Sequence, residues 1–409
     1  MKNLLFVSIA FPPKSDAEGL QVAKYLKYIC RESGGKFNID AITSRQPTLN
    51  MSYDPSLESL SDGVRQIVEL PIYENRYSNF LLRKVAPRVL QTPDSKFSFH
   101  LQANRAIRKL NHKPDLIYSR SFPASSAVMA YKLKIHYGVP WIMHLSDLWA
   151  DCPESCYTGA AMEYQQRVEA LCFQAADVVC VTSRKTLAFY EKKYGDSSAK
   201  LAFFPNVFDA EDAHSVPSQT DAKHGGKLRI VHTGSLAGDR SPEPFLRAIE
   251  SLPAEVRGGL EVIFVGAMDS ANRAIFEAFK IECVSWAGPV PYQTALEIQR
   301  SADILLLIDM PVIDPGRRVF FPSKILDYMI ARHPILALVD EGSEVEDVIA
   351  RYELGTCFRR HESAAIADHI QRVFSQRECG YFDSRELIMD FEAGVNAKRL
   401  VELFGEHLE

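Results

Sequence analysis

No stretch of the 409 residues approaches the ~20 consecutive apolar positions that a membrane-spanning helix needs, so no span is expected. The N-terminal MKNLLFVSIAFPP is short and lacks a cleavage site, which reads as a buried first strand rather than a signal peptide. The eight cysteines (Cys30, Cys152, Cys156, Cys172, Cys180, Cys283, Cys357, Cys379) are scattered, and no second pair accompanies Cys152 and Cys156 at zinc spacing. Neither a disulfide framework nor a structural zinc is therefore expected, and free thiols fit a reducing cytoplasm. Excess positive charge is also missing: the chain carries a net charge of -5, and no nucleic-acid partner is expected.

What is present is a chain of two-domain length with an ordinary 46% of apolar residues. Its charge is uneven. Residues 1–205 hold 26 basic against 19 acidic side chains, and residues 206–409 hold 21 against 33. The positive excess concentrates in residues 71–120, where ten basic residues face Glu74, Asp94 and Asp115. Within it, NFLLRKVAPRVLQ interleaves Arg83, Lys84 and Arg88 with Phe80, Leu81, Leu82, Val85, Val89 and Leu90. That pattern fits contact with an anionic membrane surface, or an amphipathic core helix interrupted at Pro87.

Short apolar runs alternate with helical patterns twice over. LLFVSIA, FNIDAITS, LIYSRS, WIMHLS, VVCVTS and LAFFPN read as strands of one sheet; LRIVHTGSL, LEVIFVG, CVSWAG, ILLLI and PILALV as strands of another. Buried strands punctuated by helices imply parallel sheets covered on both faces. The fold class is α/β, with two doubly wound, Rossmann-like domains facing across a cleft. The first covers residues 1–206, a polar linker 207–226, the second domain 227–384, and a helix over 385–409 is expected to pack across both. In such sheets the ligand lies beyond the carboxyl ends of the strands. Residues 11–19, 119–121, 144–147 and 206 in the first domain and those after LRIVHT in the second are thus the ones to watch.

The stretch FFPSKILDYMIARHPILAL is the strongest local signal. Pro322 and Ser323 suit a helix start, with serine as a cap. Lys324 and Asp327, three apart, share a face near that start. A helix N-terminus with a lysine beside it attracts phosphate, and a carboxylate one turn on can accept ribose hydroxyls, so this set fits a nucleoside diphosphate. The alternative is a surface helix with an exposed Lys and Asp. Upstream, HTGSLAGDR places Gly234 and Ser235 directly after a strand and Arg240 before a helix, a turn compatible with phosphate or a plain solvated loop.

These motifs resemble the nucleotide-sugar-dependent glycosyltransferases of the GT-B fold, particularly family 4. Gly234, Ser235, Leu236 and Arg240 stand where that family has its G-R-L-x-x-x-K phosphate loop. Pro322, Lys324, Asp327, Tyr328, Ala331, Pro334 and Ile335 follow its P-x-K-x-x-E-Y-x-A-x-x-x-P-I helix. FPPKSDAEGLQVAKYLKYI, WIMHLSDLW, AADVVCVTS and FPNVFD resemble its first-domain segments in order. The resemblance implies that Gly19 approaches the donor diphosphate, that Arg240 and Lys324 bind it with Gly234, Ser235 and Ser323, and that Asp327 accepts the ribose hydroxyls. His144 and Asp147 would face the transferred sugar or the acceptor. The family's glutamate eight residues before the ribose carboxylate is replaced by Val319, which leaves the sugar open. Arg317 and Arg318 could read an acidic sugar or be exposed loop arginines.

The implied activity is sugar transfer from a nucleoside-diphosphate sugar to a glycan or polyprenyl-linked acceptor in cell-surface polysaccharide assembly. Retention is expected on resemblance, and an inverting enzyme would need a base such as Asp147. No cofactor and no metal are expected: Asp16 and Glu18 flank a loop next to the phosphates, where uncompensated carboxylates would repel, whereas Arg240 and Lys324 supply fixed positive charge. The expected location is the cytoplasm, peripheral on the inner face of the membrane. A nucleotide-sugar epimerase of the same fold and a non-enzymatic two-domain binding protein are the competing readings.

Overall fold

The computed structural model describes residues 1–44, 51–74, 76–153, 157–195, 199–214, 226–376 and 388–408. The chain divides into two compact units, residues Met1–Asp209 with Asp390–Glu409, and Ala210–Met389.

The first unit runs β1 (Lys2–Val7), α1 (Ala17–Glu32), β2 (Phe37–Ser44), β3 (Gln66–Leu70), α2 (Arg76–Val85) and α3 (Ala103–Lys109). It continues with β4 (Leu116–Ser121), α4 (Ser125–Tyr137), β5 (Trp141–Leu145), α5 (Ala160–Ala175), β6 (Val178–Val181), α6 (Arg184–Tyr194) and β7 (Lys200–Phe203). The sheet order is β3-β2-β1-β4-β5-β6-β7, and every pairing is parallel. β4 and β5 are buried at every position, as expected for parallel strands covered on both faces.

The second unit opens with α7 (Ala210–His214) and runs β8 (Leu228–Thr233), α8 (Glu243–Ser251), α9 (Ala254–Gly258), β9 (Leu260–Val265), α10 (Ser270–Ala278) and β10 (Val284–Gly288). α11 (Tyr292–Arg300), β11 (Ile304–Ile308), α12 (Lys324–Ala331), β12 (Ile335–Leu338), α13 (Glu344–Arg351), β13 (Gly355–Phe358) and α14 (Ser363–Gln376) complete it. Its parallel sheet has the order β10-β9-β8-β11-β12-β13. In both sheets the strand order reverses beside the first strand, between β1 and β4 and between β8 and β11. That is the switch point where open α/β sheets leave a crevice at the carboxyl ends.

The last helix, α15 (Ala393–Glu406), belongs to the first unit. Its buried face of Leu400, Val401, Leu403 and Phe404 joins the core of Leu4, Phe6, Tyr25 and Tyr118. Phe208 and Ala393 bond through their backbones at 3.0 Å, fastening the returning chain beside the segment that left the sheet. The linker expected over 207–226 is divided between the units at Asp209, and residues 215–225 of it lie outside the described ones.

α2 presents Tyr77, Phe80, Leu81 and Val85, at helical spacing, with 84, 57, 59 and 81% of their surface exposed. An amphipathic core helix would bury that face. Lys84 lies over the Phe80 ring at 4.5 Å. The side chains of Arg83 and Arg88 are outside the described residues. The described cysteines form no disulfide; Cys156 and Cys379 are outside the described residues.

Candidate functional site

At the switch point of the second unit, β8 delivers His232, Thr233 and Gly234, and β11 delivers Asp309. Tyr328 ties α12 to both strands: its hydroxyl accepts the Thr233 N–H at 3.0 Å and donates to the Leu306 carbonyl at 3.1 Å. α12 thereby sets Lys324, its first residue, against the β8 turn. Gly234 has φ +124°, and a Cβ there would lie 2.5 Å from the Lys324 Nζ, so only glycine admits both the backbone angle and the lysine.

The charges gathered there are short of partners. The Lys324 Nζ, the Arg240 Nε and both the Nε and Nη1 of Arg360 are buried without a hydrogen-bond partner. Arg360 follows β13, and its Nη2 donates to the Asp309 carbonyl. Burial, then repulsion from Arg240, lowers the Lys324 ammonium from 10.5 to about 7. Burial raises the Asp309 carboxyl from 3.8 to about 6 even though Arg240, Arg360 and Lys324 oppose the rise. His232 donates from Nδ1 to the Leu306 carbonyl at 2.9 Å, leaving a bare, buried Nε2, and burial with the Lys324 charge keeps it neutral. Buried cations are costly unless paired, so a group of them with unused donors is built for an anion.

The other expected donor residues divide. Ser235 is exposed. Ser323 precedes α12 but makes no side-chain capping bond, because its φ and ψ of -59° and -21° are already helical, which corrects the expected cap. Asp327 stands in the first turn of α12, its carboxylate 3.0 Å from the Tyr292 hydroxyl, which also lies 3.2 Å from the Asp212 carboxylate. Arg318 is spent on the Val312 and Glu341 carbonyls and Arg317 pairs with Asp314 at 3.3 Å, so both serve their own loop. Val319 is buried.

In the first unit the expected contacts of Gly19 and His144 fall on groups that already have partners within the unit. The Gly19 N–H is already used, donating to the Asp16 carboxylate at 2.9 Å as the cap of α1. A Cβ at Gly19 would meet the Lys14 carbonyl at 2.4 Å, so the loop itself already requires the glycine. His144 is wholly buried in β5. Its Nδ1 accepts from the Tyr118 hydroxyl at 2.7 Å and its Nε2 donates to the Phe204 carbonyl at 3.0 Å, which leaves no nitrogen for a sugar. Burial and Arg120 hold it neutral. Asp147 is half-buried after β5.

Near it lies a network that the motif reading passed over. Arg120, fully buried, donates from Nε to Glu18 at 2.9 Å and from Nη2 to the Asn206 side chain at 2.7 Å, and Ser146 donates to the other Glu18 oxygen. Burial, opposed chiefly by Arg120, raises the Glu18 carboxyl to about 6. Among the described residues, no group of three or more His, Cys, Asp or Glu side chains is placed to hold a metal ion.

Residues 48–207 match the family model described as Glycosyl transferase 4-like domain. Among solved structures the chain is similar to Anabaena HepE in complex with UDP and glucose, at 15% identity and a TM-score of 0.65, over 99% of this chain and 100% of that one. It is similar to the N-terminal domain of Candida albicans trehalose-6-phosphate phosphatase, at 11% identity and 0.66, over 100% and 97%. Sucrose-phosphate synthase from Thermosynechococcus elongatus gives 15% and 0.62, over 100% and 96%. The chain resembles the GT-B glycosyltransferases. No curated protein matches the sequence. At these identities the likeness establishes the GT-B fold, and the two Rossmann-like units agree with it. On that fold Arg360 and Asp309 are the residues the motifs missed. Asp309 directly follows ILLLI and was legible as a strand-end position, whereas Arg360 follows GTCF, an edge strand with only Phe358 buried that does not read as an apolar run.

Proposed function

We propose that this protein is a glycosyltransferase moving a sugar from a nucleoside-diphosphate sugar to a glycan or polyprenyl-linked acceptor, with retention, in cell-surface polysaccharide assembly. The observation that carries this is the set of buried, unpartnered nitrogens of Arg240, Lys324 and Arg360 around the β8 and β11 ends. The likeness to a structure holding UDP and glucose supports a uridine diphosphate donor.

The bond from the sugar to the diphosphate breaks and the acceptor oxygen takes its place, its proton passing to the departing phosphate. Negative charge grows on the leaving oxygens, where fixed cations stabilise it without reorganising. Arg240 and Lys324 do the work that a divalent metal does in other transferases, and Asp327, one turn into α12, receives the ribose hydroxyls. Asp147 is the residue to test for the acceptor. The exposed apolar face of α2, set in a basic segment, supports attachment to the cytoplasmic face of an anionic membrane, which brings the enzyme to a lipid-linked acceptor.

The test incubates the full-length protein with radiolabelled UDP- and GDP-sugars, with and without polyprenyl-linked acceptor. Nucleotide release that requires acceptor supports transfer. Release or sugar isomerisation without acceptor would favour an epimerase, and binding without turnover a carrier. Sedimentation with anionic vesicles, lost on Phe80→Ser with Leu81→Ser, checks the membrane face.

A further inference from the structure

The cluster contains more charge than the family motifs supply, and its balance is informative. Three cations, Arg240, Lys324 and Arg360, share the space with one buried carboxylate, Asp309, leaving two positive charges when Lys324, lowered by burial to about 7, holds its proton. Each cation acts electrostatically on Asp309, and Arg240 acts on both other cations. The remaining charged groups facing Arg360 do not alter the count. Asp340 acts on Arg360 more strongly than Asp309 does, but it lies 3.9 Å from Arg318, whose charge offsets it, and Asp239 is exposed, where solvent screens it.

We infer that Arg360 is a third donor-binding cation and Asp309 a resident counter-anion, which together set the site's charge to match the one charge carried by each phosphate of a sugar nucleotide. This rests on the reading of the site as a diphosphate site and adds what tunes it. Without Arg360, Asp309 would cancel one of the two remaining cations and leave the diphosphate half-neutralised. Without Asp309, three buried cations would face one another with no anion between them in the empty protein. The Asp309 carbonyl also holds the guanidinium by its Nη2, so the same residue positions Arg360 and limits its charge. The Nε and Nη1 remain free to make hydrogen bonds to phosphate oxygens.

Two substitutions should therefore act with opposite sign. Calorimetric titration of the full-length protein with UDP, and in parallel GDP, should show Arg360→Met weakening the better ligand by ~30-fold or more, the scale of losing a charged hydrogen-bond partner. Asp309→Asn should leave that affinity equal or tighten it by ~3-fold, since the amide keeps the shape and removes the competing charge. Combined with Arg360→Met, it should restore much of the loss, and Arg360→Lys, which keeps the charge without the fork, should fall between wild type and Arg360→Met. The inference is overturned if Arg360→Met stays within ~2-fold of wild type, if Asp309→Asn weakens binding as Arg360→Met does, or if the double variant binds no better than Arg360→Met. Should Arg360→Met not fold, Arg360→Lys with and without Asp309→Asn decides by the same signs. A wild-type protein that binds neither UDP nor GDP would overturn the functional reading itself, an outcome distinct from wild-type binding that Arg360 does not affect.

Discussion

Both units bring charged side chains to the carboxyl ends of a parallel sheet beside its switch point, yet they treat them in opposite ways. In the first, Arg120 pairs with Glu18, donates to Asn206 and lies 4.7 Å from the Tyr25 ring centroid, leaving only its Nη1 without a hydrogen bond, and Ser146 completes the Glu18 carboxylate. In the second, Lys324, Arg240 and Arg360 keep unused donors around one carboxylate. Burial alone does not distinguish a site from a strut: the distinguishing feature is whether the buried cation is already ion-paired at hydrogen-bond distance, as Arg120 is with Glu18, or is left for another anion.

The comparison breaks most visibly if the first network is not a strut. Arg120→Met leaves Glu18 buried without its cation and should cost about 3–5 kcal/mol in denaturant unfolding. Next, Lys324→Ala or Arg240→Ala should lower turnover by ~100-fold or more, with no loss of folding stability in the empty protein, because an unpaired buried cation is removed. A large drop in stability would make these residues struts as well.

A smaller effect follows from pH. The Lys324 ammonium is lowered from 10.5 to about 7 in the folded protein. Between pH 7 and 10.5 the unfolded chain holds a proton that the folded one has released, so stability of the empty protein rises with pH in that window. A bound diphosphate favours the protonated lysine, so donor affinity should fall as pH rises from 6.5 to 8.5, by up to ~20-fold for one linked proton, and Lys324→Arg should flatten the profile. Asp309, at about 6, is ionised through most of that range, and His232 stays neutral. Gly234→Ala should weaken donor binding by ~10-fold through the displaced lysine, read by the same titration. EDTA should leave turnover nearly unchanged, and a strict Mg²⁺ requirement would remove the fixed cations from their assigned role.

Much of this was legible in the sequence. FNIDAITS, LIYSRS and ILLLI coincide with β2, β4 and β11: ILLLI is a continuous apolar run, FNIDAITS alternates Phe37, Ile39 and Ala41 with Asn38 and Asp40, and LIYSRS opens on three apolar residues. β3 and β13 escaped because both edge their sheets and neither is a continuous apolar run: QIVEL carries Gln66 and Glu69, and GTCF carries Gly355 and Thr356 with only Phe358 buried. Lys324 and Arg240 were found by their spacing to a helix start and a glycine turn. His144 was misplaced because strand-end position does not reveal which face a side chain takes, and here the face is the core. Arg360 could not be assigned from pattern at all: its role depends on β13 lying two strands from β11, which only the sheet order discloses.

The fastening of α15 into the first unit has a consequence for synthesis. The second unit is one continuous stretch, Ala210–Met389, inserted into a first unit whose final helix comes from the far end of the chain. A ribosome therefore releases everything the second unit needs while the first still lacks the side chains that cover Leu4, Phe6 and Tyr118. The nascent N-terminal half must wait with part of its apolar core uncovered, and a stop codon shortly before Ala393 would damage the earliest-made sheet while sparing the later one.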